Sequence, residues 1–431
     1  MNVHQLTIFA PKYREREIVD EIIDFGEMGR KTEVFVNDGL RYFVNEFWTS
    51  RQRQSNNLHE ISYRACFKAE LPRFFIERLT QPGDLVYDPF MGRGTTLLEA
   101  NLLNRAVAGN DINPLSKYLI EPRLNPPALG KIERRLQEIP LNAVPSEGDE
   151  ALLAFYHPKT LAEIVSLKNW FLERELSGQI DLVDKWIRMV AINRLTGHSS
   201  GFFSVYSMPP NQAVSVESQI KINQKRNQVP DYRNVKVIIL KKSKNLMSAG
   251  VSQARVSPLL LTGRAASSHK ITDGSVSLIV TSPPFLDIVN YQQDNWLRCW
   301  FSGIDADAIT IDKHKSVKDW EAFVRASFEE FSRIVKTGGY VAFEVGEVRN
   351  GTVLLEKHVV NAAEGLPFEL VGVMVNDQEF TKTANCWGVG NNKSGTNTNR
   401  ICLFKKTRSF ELSNRTNKRR AVMVPEALSV I

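Results

Sequence analysis

Between Asp84 and Asp111 the spacing of apolar and polar positions changes period twice. Asp84-Leu-Val-Tyr-Asp88 is a short apolar run, and Pro89 to Thr96 is a glycine-rich turn. Thr95 to Asn104 carries apolar residues at helical spacing, and Ala106-Val-Ala-Gly-Asn-Asp111 is a second apolar run. Strand, turn, helix and strand in that order predict a βαβ unit. The same grammar returns after the Asp273-Gly274 turn, where Ser277-Leu-Ile-Val-Thr-Ser282 reads as a buried strand. Trp320, Phe323, Val324, Phe328, Phe331, Ile334 and Val335 share one face of a helix that Gly338-Gly339 is expected to end, and Tyr340 to Val345 follows as a strand. Phe368 to Val375 and Arg400 to Phe404 flank a loop rich in glycine and asparagine, 388–399, and are expected to pair as a closing antiparallel hairpin.

The chain between these two α/β stretches follows a different pattern. Residues 122–150 carry Pro122, Pro126, Pro127, Pro140 and Pro145 and read as a linker. From Pro158 to Leu195 two helices are predicted, their Trp and Met stripes read as core, and Val235 to Leu240 is a strand candidate. Residues 1–62 mix short helical and extended signals without a chemical motif. The fold expectation is therefore α/β: a sheet with a closing antiparallel hairpin, built from 63–125 and 263–406. It is interrupted by an inserted, mainly helical or mixed unit over 126–262 and followed by a tail, 407–431.

Composition narrows the class. The 431 residues are 42% hydrophobic and 24% charged, which excludes a chain disordered throughout. Cys66, Cys299, Cys386 and Cys402 form no CxxC pair and no Cys/His spacing that zinc needs, so neither a disulfide framework nor a metal site is expected, and the cysteines read as small buried side chains. No run approaches the ~18 to 20 apolar residues of a membrane span, and the N-terminus has too short an apolar stretch for a secretory signal, so a soluble, cytoplasmic protein is expected. The net charge of +7 is concentrated. Lys221, Lys225, Arg226, Arg233, Lys236, Lys241, Lys242, Lys244 and Arg255 face the single acid Asp231, and 405–420 is likewise basic, a distribution that fits a polyanion partner.

The turn Asp88-Pro-Phe-Met-Gly-Arg-Gly-Thr-Thr96 joins a strand end to a helix start, where free N–H groups await a ligand and Gly92 and Gly94 permit close approach. A bare GxG also suits a plain tight turn. A P-loop needs a lysine after Gly94, and a dinucleotide fingerprint needs glycine at position 97, which is Leu97. Asp111 stands at the tip of the next strand, where an acid accepts ribose hydroxyls. An acid before the loop, an acid at the next tip and no phosphate-binding lysine point to a cofactor with a ribose and a positive centre. S-adenosylmethionine has that character.

Thr281-Ser-Pro-Pro-Phe285 stands at the C-terminal end of its strand, facing the crevice where open α/β sheets bind ligands. Alone, it is a strand ending in a proline turn. Together, DPFxGxGTT and TSPPF resemble the DNA amino-methyltransferases, which methylate the exocyclic nitrogen of cytosine or adenine. Arg64-Ala-Cys-Phe-Lys-Ala-Glu-Leu-Pro72 is similar to that family's methionine-binding motif, and Lys336 to Glu344 and Asn399 to Lys405 are similar to its later strands. The resemblance implies a Rossmann-like S-adenosylmethionine-dependent fold, a cofactor site of Phe67, Asp88, Phe90, Gly92, Gly94, Thr95 and Asp111, and a catalytic set of Ser282, Pro283, Pro284 and Phe285. The motif order is similar to the family's α arrangement, with a target-recognition domain in the insert, where Arg226, Asn227, Gln228 and Arg233 are candidate base readers. Ser at position 282 is the form more typical of cytosine N4. One departure stands out: where many members carry an acid that contacts the cofactor adenine, this chain has Gly263-Arg264-Ala265.

What the resemblance implies is site-specific methylation of double-stranded DNA, within a restriction–modification system alongside a cognate restriction endonuclease. The Ser282 hydroxyl and Pro283 carbonyl accept the two amine N–H bonds of a flipped cytosine while Phe285 stacks on it. A cytosine C5 enzyme would need a Pro-Cys nucleophile where this chain has Pro-Phe. The rival readings are N6-adenine methylation on the same fold and a DNA-binding protein that keeps the fold without catalysis.

Overall fold

The computed structural model describes residues 17–48, 56–63, 66–209, 212–250, 257–284, 291–309, 314, 316–346, 353–377 and 398–408. A short helix, α1 (Ile18–Ile23), precedes the antiparallel pair β1 (Glu33–Asn37) and β2 (Leu40–Asn45). Helix α2 (Glu70–Leu79) leads into β3 (Leu85–Asp88), α3 (Thr95–Leu102) and β4 (Ala106–Asp111), the expected βαβ unit. Six helices follow: α4 (Leu115–Leu124), α5 (Leu129–Glu138), α6 (Pro158–Leu176), α7 (Leu182–Ile192), α8 (Val216–Arg226) and α9 (Val235–Met247). The chain then returns as β5 (Leu259–Thr262) and β6 (Val276–Thr281), α10 (Tyr291–Ser302), α11 (Val317–Ile334), β7 (Val335–Val345), α12 (Leu355–Ala363), β8 (Phe368–Asp377) and β9 (Thr398–Lys406).

Among the described residues the strands form one nine-stranded sheet in the order β1-β2-β8-β9-β7-β6-β3-β4-β5. The central run β7-β6-β3-β4-β5 is parallel, and β9 lies antiparallel between β7 and β8, which is the anticipated closing hairpin. The N-terminal region joins the same sheet through β2, parallel to β8. From β3 the chain proceeds to β4 and β5 on one side, then crosses to β6 and β7 on the other. The order therefore reverses between β3 and β6, and the crevice at their C-terminal ends is where such a sheet binds ligands.

Side chains alternate between two cores, as strand pleating requires. On β9, Ile401 and Leu403 pack with α2, α3, α4 and the inserted helices, whereas Cys402 and Phe404 pack with α11 and α12. The face of α11 predicted from its spacing is the buried one: Trp320, Val324, Phe328, Phe331 and Ile334 are all fully enclosed. No helix of the described residues is long and apolar enough to cross a membrane. Cys299 and Cys402 are buried as expected, but Cys66 is exposed, and Cys386 lies outside the described residues.

Three local expectations are corrected. Val235 to Leu240 is the first half of helix α9, not a strand: Asn234 caps it by accepting the Val237 amide at 3.0 Å, and Val235, Ile239, Ser243 and Leu246 recur at helical spacing on its buried side. The β-branched run concealed that period. Residues 122–150 are not a plain linker, because Pro122 lies inside α4 and α5 forms between Pro127 and Pro140, burying Ile132 and Leu136. Gly338-Gly339 do not end α11, which stops at Ile334; they lie within β7, where pairing jumps from Val276↔Val335 to Leu278↔Tyr340. Gly338 adopts φ 79°, and a Cβ on Gly339 would stand 2.9 Å from the Ser277 carbonyl oxygen, so this bulge requires the two glycines.

The α9 correction separates two substitutions that a strand would treat alike. Val237 is 61% exposed and Ile239 is fully buried. Val237→Ala should change unfolding stability by no more than about 0.5 kcal/mol. Ile239→Ala should cost about 2–5 kcal/mol in urea titrations.

Candidate functional site

Two loops meet at the switch between β3 and β6. In the first, Gly92 (φ 47°) and Gly94 (φ 77°) turn the chain from β3 into α3, and Gly94 caps the helix in the left-handed region. A Cβ on Gly94 would overlap the Ile120 side chain at 2.3 Å, so no larger residue fits there. Asp111 holds this loop from the neighbouring strand tip: one carboxylate oxygen accepts the Gly92 amide at 2.8 Å, the other the Asn113 amide at 2.8 Å. A carboxylate has about four acceptor positions, so these two amides leave capacity for a ligand hydroxyl. Burial pushes the Asp111 carboxyl above its ordinary range, against the pull of those two amides and the Ser116 hydroxyl.

In the second loop, Thr281 ends β6 and Ser282-Pro283-Pro284 follow it. The Thr281 hydroxyl donates to Asp88 Oδ1 at 2.6 Å, and the Pro284 carbonyl accepts the indole N–H of Trp320 at 3.0 Å, which locks the backbone on both sides of Ser282. Behind Ser282 lies Glu344, at the end of β7. Its carboxyl accepts from the Ser282 hydroxyl and from Asn399 Nδ2 at 2.7 Å, and its burial pushes its pKa up. Glu344 was legible only as part of a strand, since nothing in its spacing announces a partner in the tetrapeptide.

One cavity joins the two loops. Of the residues named from the sequence, Phe90, Gly92, Asp111, Ser282 and Pro284 line it; Asp88, Gly94, Thr95, Phe67 and Pro283 do not. Phe285 lies outside the described residues, as do Arg64 and Ala65 of the segment preceding α2. Asp88 sits beneath the loop, accepting the Phe90 amide at 3.1 Å as well as Thr281, and burial pushes its carboxyl up to about 7. Phe67 presents its carbonyl to Arg93, whose Nε also donates to Thr95 Oγ1 at 3.1 Å, so both residues support the loop from behind. Tyr63, Ile112, Asn113 and Phe323 complete the wall unannounced by any motif. Arg264 and Ala265 also line it, where the sequence lacks the usual acid. The mainly apolar wall with a carboxylate at one end suits a nucleoside, and the residues present fit S-adenosylmethionine.

The insert candidates are placed differently. Gln228 donates to the Tyr206 carbonyl, Arg233 donates to the Ser199 and Phe202 carbonyls, and Asn227 caps α8 at φ 46°. Arg226 is exposed and lies 3.8 Å over the Tyr206 ring.

A DNA methylase family model, that of the N6/N4 methyltransferases, matches residues 12–121. These residues include the glycine loop and Asp111. The chain is 22% identical over 393 residues to the type II methyltransferase M.BsoBI of Geobacillus stearothermophilus, covering 80% of this chain and 75% of that protein. It is 32% identical over 109 residues to the type II methyltransferase M.MvaI of Kocuria varians, covering 24% and 23%. These matches support the DNA amino-methyltransferase family. Among solved structures, TrmN from Thermus thermophilus overlaps at TM-score 0.31 and 13% identity, covering 80% of this chain and 50% of that one, a likeness too slight to add to the sheet order. S-adenosylmethionine is the methyl donor that goes with a DNA methylase.

The chain should carry a pH signature of Asp88. Its folded carboxyl titrates near 7, above the ordinary 3.8, so its contribution to stability is complete below about pH 4 and is lost as pH rises through 7. Asp88→Asn keeps an acceptor for Thr281 and removes the titration. Between about pH 5 and pH 8 the stability difference should move in favour of Asp88→Asn by on the order of 2 kcal/mol. A pH-independent difference in urea unfolding contradicts this reading.

Proposed function

We propose that this chain methylates the exocyclic N4 of a cytosine flipped out of double-stranded DNA, at a specific site, using S-adenosylmethionine, and that it protects DNA within a restriction–modification system. The observation that carries the reading is the single cavity shared by the Gly92–Asp111 cradle and Ser282. A methyl donor in the cradle and a base at Ser282 would share one enclosed space, where proximity supplies much of the rate. The bound cofactor supplies an electrophilic methyl group on a sulfonium. Asp111 would hold its nucleoside end, and Phe90 and Tyr63 would give it apolar walls.

The target amine is a weak nucleophile because its lone pair is delocalised into the ring. Ser282 Oγ, on the cavity wall, accepts an amine N–H, which draws the nitrogen toward tetrahedral geometry and frees the lone pair. Because the Ser282 hydroxyl proton points at Glu344, the oxygen lone pairs are left for the base. Glu344, held high by burial, is the proton acceptor next to Ser282, and the amine proton released on methylation passes through that hydroxyl to it. Ser at position 282 supports cytosine over adenine.

Digestion to nucleosides and mass spectrometry, after incubation of the protein with unmethylated DNA and S-adenosylmethionine, should reveal N4-methylcytosine. N6-methyladenine would replace the base assignment, and no methylated nucleoside would favour a silent DNA binder. Ser282→Ala should leave cofactor affinity unchanged and lower kcat about a hundredfold or more. Glu344→Gln should lower kcat and remove the acidic limb of the pH–rate profile, since the parent loses activity as pH falls through the raised Glu344 pKa. An unaltered profile would remove Glu344 from the proton path.

A further inference from the structure

The segment between α7 and α8 is neither helix nor strand, yet it is among the most constrained in the molecule. Residues 197–206 form a loop whose two ends meet through a parallel bridge between Gly197 and Tyr206, and the Ser207 amide donates to the Gly197 carbonyl at 2.9 Å. The Gly197 amide donates to Ser204 Oγ at 3.2 Å. A Cβ on Gly197 would stand 2.4 Å from the Phe202 ring, so the loop closes only on glycine. Three guanidinium groups grip it from outside. Arg194 stacks on Phe202 at 4.0 Å, Arg226 on Tyr206 at 3.8 Å, and Arg233 donates to the Ser199 and Phe202 carbonyls at 2.8 and 3.1 Å. Gln219 and Gln228 both donate to the Tyr206 carbonyl at 3.0 Å. At the tip, His198, Ser199 and Ser200 are exposed to solvent.

A connection that merely joined two helices would not call on three arginines, two glutamines and an obligatory glycine to hold three polar side chains outward. We propose that this loop is the element with which the protein reads its DNA, and that His198, Ser199 and Ser200 are the contacting side chains. The proposal rests on the DNA methyltransferase reading above and relocates sequence recognition from the basic helices to the loop they support. An imidazole and two hydroxyls offer donors and acceptors that match base edges and phosphate oxygens alike, and a preorganised tip loses little entropy on docking. The surroundings suit a polyanion: Lys221, Lys225 and Arg226 of α8 are exposed beside the loop, whereas Asp231 is paired with Arg233 and Glu60 with Lys242.

A series of contacts also runs from the loop to the cavity. The Val205 amide donates to the Phe155 carbonyl at 2.9 Å, and the Phe155 ring lies 6.2 Å from Trp296 of α10. From the same helix, Arg298 donates to the Ser62 carbonyl at 2.8 Å and lies 5.8 Å over the ring of Tyr63, a wall residue of the cavity. A duplex seated on the tip is thus referenced to the wall that receives the base through one chain of packed groups.

The test uses the full chain, a randomised-sequence duplex and S-adenosylmethionine; sequencing the methylated positions defines the parent's site. His198→Ala and the double variant Ser199→Ala/Ser200→Ala replace exposed side chains, so the thermal midpoint and the calorimetric cofactor Kd should stay at parent values. Methylation of the parent's site should fall about tenfold or more, with its preference over other sequences reduced in proportion. If both variants methylate the same site within about twofold of the parent, the loop is not the reader. If the parent itself neither binds nor methylates the duplex, the DNA reading falls and takes this inference with it.

Discussion

A buried carboxyl joins the two halves of the site. Asp88, at the end of β3, accepts the hydroxyl of Thr281, at the end of β6, and in the first turn of α3 the Thr96 hydroxyl donates to the Val280 carbonyl at 3.0 Å. Among the described residues these two strand ends border the reversal of the sheet, so the bonds tie the glycine loop to the strand end that carries Ser282. Enclosing Asp88 raises its pKa because a charge there is poorly solvated; the hydroxyl of Thr281 and the Phe90 amide offset part of that penalty. An acid that is easily read as a ligand for the cofactor is placed here as a tie between loops.

The outer wall of the cavity depends on a second kind of interaction, guanidinium to carbonyl. Arg93, between the two loop glycines, donates to the Ile61 carbonyl at 2.9 Å and the Phe67 carbonyl at 3.3 Å, which draws the segment bearing Tyr63 over the loop. Arg123 of α4 is fully buried and donates to the carbonyls of Leu119, Leu58 and Arg93 itself. Burial and the neighbouring Arg93 push its pKa down to about 9. Planar groups with five donors suit this task, because each can satisfy several backbone oxygens that the irregular segment leaves without partners.

The insert is stiffened by charge as well. Asp184 of α7, fully buried, accepts Arg135 of α5, Arg174 of α6 at 2.8 Å and the Trp170 indole at 3.1 Å, so three helices share one carboxylate. That rigidity is consistent with an element that presents a loop rather than one that folds around a ligand. The described part of the basic run 221–255, conspicuous as net charge, includes side chains that brace the loop, such as Arg233, and side chains exposed to solvent, such as Lys225.

The sequence alone determined six strands of the sheet, the position of its two chemical loops and their meeting, because period-two and helical spacing, glycine turns and proline stops act over a few residues and leave local marks; β1, β2 and β5 it did not show. It also determined that α11 buries one aromatic face. What only the tertiary structure decided were the contacts between segments far apart in the chain: Glu344 behind Ser282, Asp88 beneath the loop, Arg93 and Arg123 on the wall, and Arg233 spent on a loop rather than on a base. Helix α9 shows the boundary between the two. Its run of valine, isoleucine and leucine favours a strand when weighed locally, and the packing of Ile239 and Leu246 against the other inserted helices overrides that preference, since burial of a whole face outweighs propensities of a few tenths of a kcal/mol per residue.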